Sequence, residues 1–162
     1  NRYGLKACCI AGKNLYKEIG KSLGMKIIEV KGADGSAFTN LKGKILTAID
    51  AHKKFDFIFL HIKATDTLGE DGDWKGKKEF IERIDESLKP LLDIKDALIV
   101  LTADHSTCCN LKRHCDELIP VLISGEGSEN ISKFSEKDCK AGKLGIIKQT
   151  DLMVKVLDLY KK

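Results

Sequence analysis

The chain has 162 residues, 43% hydrophobic and 32% charged, which fits one folded domain with its own core and excludes a disordered, collagenous or fibrous chain. Lysine and arginine total 28 against 24 acidic residues; the charge of +4 is spread along the chain, and the 6% of aromatics do not interleave with it, so no nucleic-acid partner is expected. The longest apolar runs, 55–62 and 97–101, fall far short of the roughly 18–20 residues that cross a bilayer, so no membrane span or membrane partner is predicted.

Short β-branched or apolar runs alternate with longer stretches of helical period, a pattern that predicts a parallel sheet covered by helices, an α/β fold. Residues 6–11 read as a strand, 15–23 as a helix closed by Gly24, and 25–30 as a second strand. Residues 32–40 are a loop by composition, and 41–53 return to helical spacing. The clearest strand is 55–62, followed by a polar loop over 63–73. A long helix is predicted at 74–92, with Phe80, Ile81, Ile84, Leu88 and Leu91 on one face and Pro90 kinking its last turn. Residues 97–102 and 119–124 read as strands, 103–118 and 125–144 as irregular, and 150–160 as a closing helix capped by Thr150 or Asp151. There is no internal repeat, linker or low-complexity tract.

Six cysteines in a chain with this much core do not need to form a disulfide scaffold, and reduced thiols are expected. The start, Asn1-Arg2-Tyr3-Gly4, has neither an initiator methionine nor an apolar signal segment, which predicts a cytoplasmic chain cut from a longer one.

In open parallel α/β sheets, ligands collect beyond the carboxyl ends of the strands. Two loops therefore matter. Asp66, Glu70, Asp71 and Asp73 follow the strand ending at Ile62; Asp104 and His105 follow the one ending at Thr102, with His114 farther along. Carboxylate oxygens mixed with imidazole nitrogens suit Mn²⁺ or Zn²⁺ better than Ca²⁺. Taken alone, an Asp-His dipeptide is ordinary surface polarity; Asp66 and His114 give it weight. Cys108, Cys109 and Cys115 lie near both histidines and leave a thiolate zinc site open, although paired Cys-x-x-Cys knuckles are lacking. His61, inside an apolar strand, reads as a core or supporting histidine, and His52 as surface. Gly20-Lys21-Ser22 imitates the end of a phosphate-binding loop but lies inside a helix, no Gly-x-Gly-x-x-Gly follows the first strand, and Glu70 to Asp73 lack EF-hand spacing.

Leu60-His61-Ile62-Lys63-Ala64-Thr65-Asp66, Gly69-Glu70-Asp71-Gly72-Asp73, Thr102-Ala103-Asp104-His105-Ser106-Thr107 and Leu111-Lys112-Arg113-His114 together resemble the archaeal-type cofactor-independent phosphoglycerate mutases of the alkaline phosphatase superfamily. Residues 6–24, with Cys9-Ile10-Ala11-Gly12, and Pro120-Val121-Leu122-Ile123 extend the likeness to nearly the whole chain. The resemblance implies a three-layer α/β/α sandwich with a mostly parallel sheet, of which residues 1–162 are the carboxy-terminal part, the amino-terminal segment and the inserted substrate domain being absent.

It also implies two divalent metals, Mn or Zn, and a phosphoserine intermediate in moving a phosphoryl group between the 3- and 2-hydroxyls of glycerate. Phosphoglycerate would be the substrate and the complete enzyme an isomerase. Asp66 and His114 would hold one metal, Asp104 and His105 the other. Glu70 stands where the family has histidine, and a carboxylate there still offers a ligand. Lys17 matches a phosphate-neutralising lysine of the family, with Lys13 as competitor. Cys108 stands where proline is expected. No serine here sits on the strand-to-helix turn a nucleophile needs, so this chain by itself is expected to be catalytically silent. A metal-dependent phosphatase or sulfatase and a non-catalytic α/β module are the alternatives.

Overall fold

Ala7–Ile10 forms β1, the centre of a three-stranded parallel sheet in the computed structural model, which describes residues 3–125 and 127–160. The readings made for Asn1 and Arg2 lie outside the described residues. The described chain divides into two units, one of Asn1–Asp93 with Thr107–Arg113, the other of Ile94–Ser106 with His114–Lys162.

In the first unit, β1 pairs with β2 (Lys26–Ile27) on one side and β3 (Phe57–Leu60) on the other, in register Cys8 with Lys26 and Cys8 with Ile58. A strand flanked on both sides is covered everywhere, which is why β1 is the continuous run Ala-Cys-Cys-Ile; Cys8, Cys9 and Ile10 have no exposed surface. Helix α1 (Asn14–Ser22) leads to β2, and α2 (Leu41–His52) to β3. Asn40 caps α2 by accepting from the Gly43 amide at 2.8 Å. The expected parallel α/β arrangement is present, with strands shorter than their apolar runs.

Residues 63–73 are not the predicted loop. Ala64–Asp71 is a helix, α3, and it is followed by α4 (Trp74–Leu88). Thr65, Asp66, Thr67 and Gly69 are poor helix formers, so packing outweighs propensity here. Ala64 is buried with Leu41 of α2 and Phe80 of α4, and Leu68 closes on the same cluster. Gly72, at φ 77°, ends α3 in the left-handed conformation that costs glycine nothing. Asp73 then caps α4 through the Gly76 amide at 2.9 Å. Helix α4 stops at Leu88, and Pro90 lies in a 3₁₀ turn, Lys89–Asp93, instead of kinking a longer helix. Phe80 faces inward as expected, whereas Ile81 is 48% exposed.

The second unit contains an antiparallel pair, β4 (Ile99–Leu101) with β7 (Leu122–Ser124), a short helix α5 (Glu136–Cys139) and a closing helix α6 (Gln149–Tyr160). A two-stranded hairpin, β5 (Ser106–Cys108) and β6 (Arg113–Cys115), stands where an irregular segment was expected. Cys108 and Cys115 are disulfide-bonded, which corrects the expectation of six reduced thiols. Cys8, Cys9, Cys109 and Cys139 are free. Burial pushes the Cys8 thiol up to about 11 and raises Cys9 as well, so neither is a reactive thiolate at neutral pH.

Candidate metal centre

The order β2-β1-β3 makes β1 a switch point: the chain leaves it toward one neighbour and later returns on the other side, opening a crevice at the strands' carboxyl ends. A cavity of about 570 Å³ lies there in the first unit. Gly12, Lys13 and Asn14 after β1, Asp34 and Gly35 after β2, and Lys63 after β3 line it. Gly12 is required by close approach, since a Cβ on it would fall 1.9 Å from the Asp34 carbonyl oxygen. The Ser36 backbone amide and hydroxyl both donate to Asp34 Oδ1, at 2.9 and 2.8 Å, and hold that carboxyl below its ordinary range.

Asp66 stands in the first turn of α3, its side chain 15% exposed. Its two oxygens are used differently: Oδ2 accepts from the Lys63 ammonium, and Oδ1 accepts from the Thr107 hydroxyl at 2.6 Å. The bond to Asp66 holds the Lys63 ammonium above the usual lysine range. Thr107 is itself 7% exposed, and Lys77 of α4 donates to its carbonyl at 2.8 Å. Glu70 follows Asp66 by four residues, one turn along the same face of α3, and is exposed.

Lys44 of α2 is fully buried and donates to the His61 carbonyl at 3.1 Å, fastening the segment between β3 and α3. Desolvation lowers its pKa, opposed by the nearby Asp34 carboxylate. His61 stacks on Tyr16 with centroids 3.4 Å apart, in keeping with a supporting role. Lys17 points to Glu29, with Nζ 2.6 Å from Oε2, while its competitor Lys13 lines the cavity.

The second unit presents Asp104, His105 and His114. The two imidazoles lie against each other, centroids 3.8 Å apart and tilted 31°. His105 Nε2 is 3.6 Å from Asp104 Oδ2. Three side-chain bonds hold this segment in place: Thr102 Oγ1 to the Pro120 carbonyl at 3.1 Å, Ser106 Oγ to the Glu117 carbonyl at 3.1 Å, and Gln149 Nε2 of α6 to the Asp104 carbonyl at 3.0 Å. Ser106 therefore lies in strand β5 with its hydroxyl donating to the Glu117 carbonyl.

The donor set fits a divalent cation. Carboxylate oxygen and imidazole nitrogen are the ligands such ions take, and the ammonium on Asp66 shows that this carboxylate already attracts a cation. Sequence reasoning missed Lys63 and Thr107 as partners of Asp66. Both stand in the quoted motifs, but only folding brings Thr107 to a residue 41 positions earlier.

Known proteins share this chain's sequence and fold. A 2,3-bisphosphoglycerate-independent phosphoglycerate mutase 1 of Archaeoglobus fulgidus is 43% identical over 98% of the chain, and a 2,3-bisphosphoglycerate-independent phosphoglycerate mutase of Methanoculleus marisnigri is 40% identical over 99%. The chain spans 40% of the length of each. Among solved structures, the PH0037 protein of Pyrococcus horikoshii superposes with a TM-score of 0.95 at 33% identity, over 99% of this chain and 50% of that one. A cofactor-independent phosphoglycerate mutase of Thermoplasma acidophilum gives 0.75 at 27% identity, over 96% of this chain and 37% of that one. Residues 1–159 match the family described as the Metalloenzyme superfamily, and the chain belongs to it.

Proposed function

We propose that this chain is the carboxy-terminal, metal-binding part of a phosphoglycerate mutase, an isomerase that interconverts 3- and 2-phosphoglycerate without a bisphosphoglycerate cofactor. Membership of a metalloenzyme superfamily implies divalent-metal use. The observation that carries the finer reading is the 43% identity to a mutase of that kind across 98% of the chain. A glycolytic role and a cytoplasmic location belong to the same reading. Among the described residues, no helix is long and apolar enough to cross a membrane.

In this reading Asp66 and His114 hold one divalent ion and Asp104 and His105 the other, with Glu70 as a further carboxylate ligand. Manganese and zinc suit these donors. Bound metal would supply charge that screens the phosphate and lowers the pKa of a serine nucleophile. The chain's own residues do the positioning. Thr107 orients the Asp66 carboxylate, Gln149 and Ser106 hold the backbone that carries His105, and Lys17 or Lys13 brings positive charge toward the phosphate. Such positioning and electrostatics supply most of the rate in phosphoryl transfer. The phosphoryl group passes through a phosphoserine whose serine is not assigned within this chain, so residues 1–162 alone turn over no substrate.

The test is incubation of 3-phosphoglycerate with the complete gene product that carries this chain, with Mn²⁺ and without bisphosphoglycerate. Formation of 2-phosphoglycerate is expected. Release of inorganic phosphate in its place would make the protein a phosphatase of the same superfamily, and absence of both, a non-catalytic module.

A further inference from the structure

We propose that Lys63 is an exchangeable internal counter-cation: its ammonium occupies Asp66 while no metal is bound and withdraws into the adjoining cavity when a divalent ion takes the carboxylate. The proposal rests on the reading of Asp66 as a metal ligand.

Both Asp66 oxygens are committed in this structure, Oδ1 to the Thr107 hydroxyl and Oδ2 to the Lys63 ammonium. The Thr107 bond is compatible with a metal, because a hydroxyl donor keeps a ligating carboxylate in orientation. The Lys63 bond is not. An ammonium and a dication competing for one oxygen repel each other strongly in a partly desolvated site, and the two side chains are only 25% and 15% exposed. A metal on that oxygen therefore competes with the ammonium, and the proposal is that the ammonium yields. Lys63 is the residue before α3, so its side chain can turn without unwinding the helix. It also lines the cavity at the end of β1, which Asp34 and Asn14 line as well, so an acceptor-bearing side chain borders the space it would enter. The switch consists of a flexible cation between two acceptors, one of which a metal can claim.

Lys13 provides the control, since it lines the same cavity but its ammonium has no bond to Asp66. Mn²⁺ would be titrated by calorimetry into the chain and into its Lys63→Met, Lys13→Met and Asp66→Ala variants, and thermal unfolding recorded with and without saturating Mn²⁺. Loss of a charge-assisted bond that metal must break predicts about tenfold tighter Mn²⁺ binding by Lys63→Met, against a change of about twofold or less for Lys13→Met. Without metal the Lys63→Met variant melts below the parent chain; with Mn²⁺ the gap closes. Equal or weaker Mn²⁺ binding by Lys63→Met, or a melting gap that Mn²⁺ leaves intact, overturns the exchange while leaving the metal site standing. Mn²⁺ binding that survives Asp66→Ala, or its absence from both the parent chain and Lys63→Met, overturns the reading of Asp66 itself.

Discussion

The hydroxyl of Thr107 reaches Asp66 of α3 from strand β5, and its removal isolates one bond to a charged acceptor. Thr107→Val keeps the shape and deletes the donor, so it is expected to destabilise the metal-free chain by about 1.5–3 kcal/mol, measured by urea unfolding. Lys44 gives a pH signature. Its pKa is lowered in the folded state, so the unfolded chain binds the proton more tightly, and the folded state gains stability as pH rises through the window below the ordinary lysine value of 10.5. The penalty for burying the charged amine is fully present at neutral pH and relieved on the alkaline side. Unfolding of the parent chain and of Lys44→Met at several pH values should show the difference moving in favour of the parent as pH increases; a difference independent of pH would refute the depressed pKa. Asp66, Asp104, His105 and His114 stand out in the sequence as candidate ligands because hard oxygen and imidazole donors follow predicted strand ends. Lys63 and Thr107 do not, because an ion pair within one turn looks like ordinary surface charge, and a hydroxyl partner 41 residues away leaves no local trace.

Helix α3 shows how an element can be hidden from its own sequence. Thr65, Asp66, Thr67, Gly69 and Gly72 have turn-like composition, and the helix exists because Ala64 and Leu68 pack against Phe80 and Leu41. By contrast, β1, α1 and α2 follow their periodicity, and Gly24 ends α1 as read, at φ 80°. Strands β2 and β3 were drawn too long because the apolar residues flanking them are half-buried, which a hydrophobic pattern does not separate from a paired strand. Two substitutions test the packing account. Phe80→Ala, at a site 1% exposed, should cost about 3–5 kcal/mol in urea unfolding and weaken Mn²⁺ binding through the loosened helix. Gly69→Ala would stabilise an open helix by about 1 kcal/mol. Here the new Cβ would meet the Thr107 carbonyl oxygen at 2.9 Å and Cγ2 at 2.8 Å, and overpacking of about 1–3 kcal/mol outweighs the gain, so the measured change should be a loss.

For the molecule as a whole, metal should act as a folding ligand. An ion that binds only the native chain adds about 2.7 kcal/mol at a hundredfold excess over its dissociation constant, which for a chain of this size is a rise in Tm of about 5–10 °C. Calorimetric scans with Mn²⁺ should show that rise, and a chelator should reverse it. The disulfide between Cys108 and Cys115 bears on every such measurement, because its two cysteines stand in the two strands of one hairpin, with His114 immediately before the second. Samples purified in dithiothreitol and samples left in air are chemically different species at that position. Ion-binding curves from the two deserve separate bookkeeping, each with its sulfhydryl titre recorded alongside.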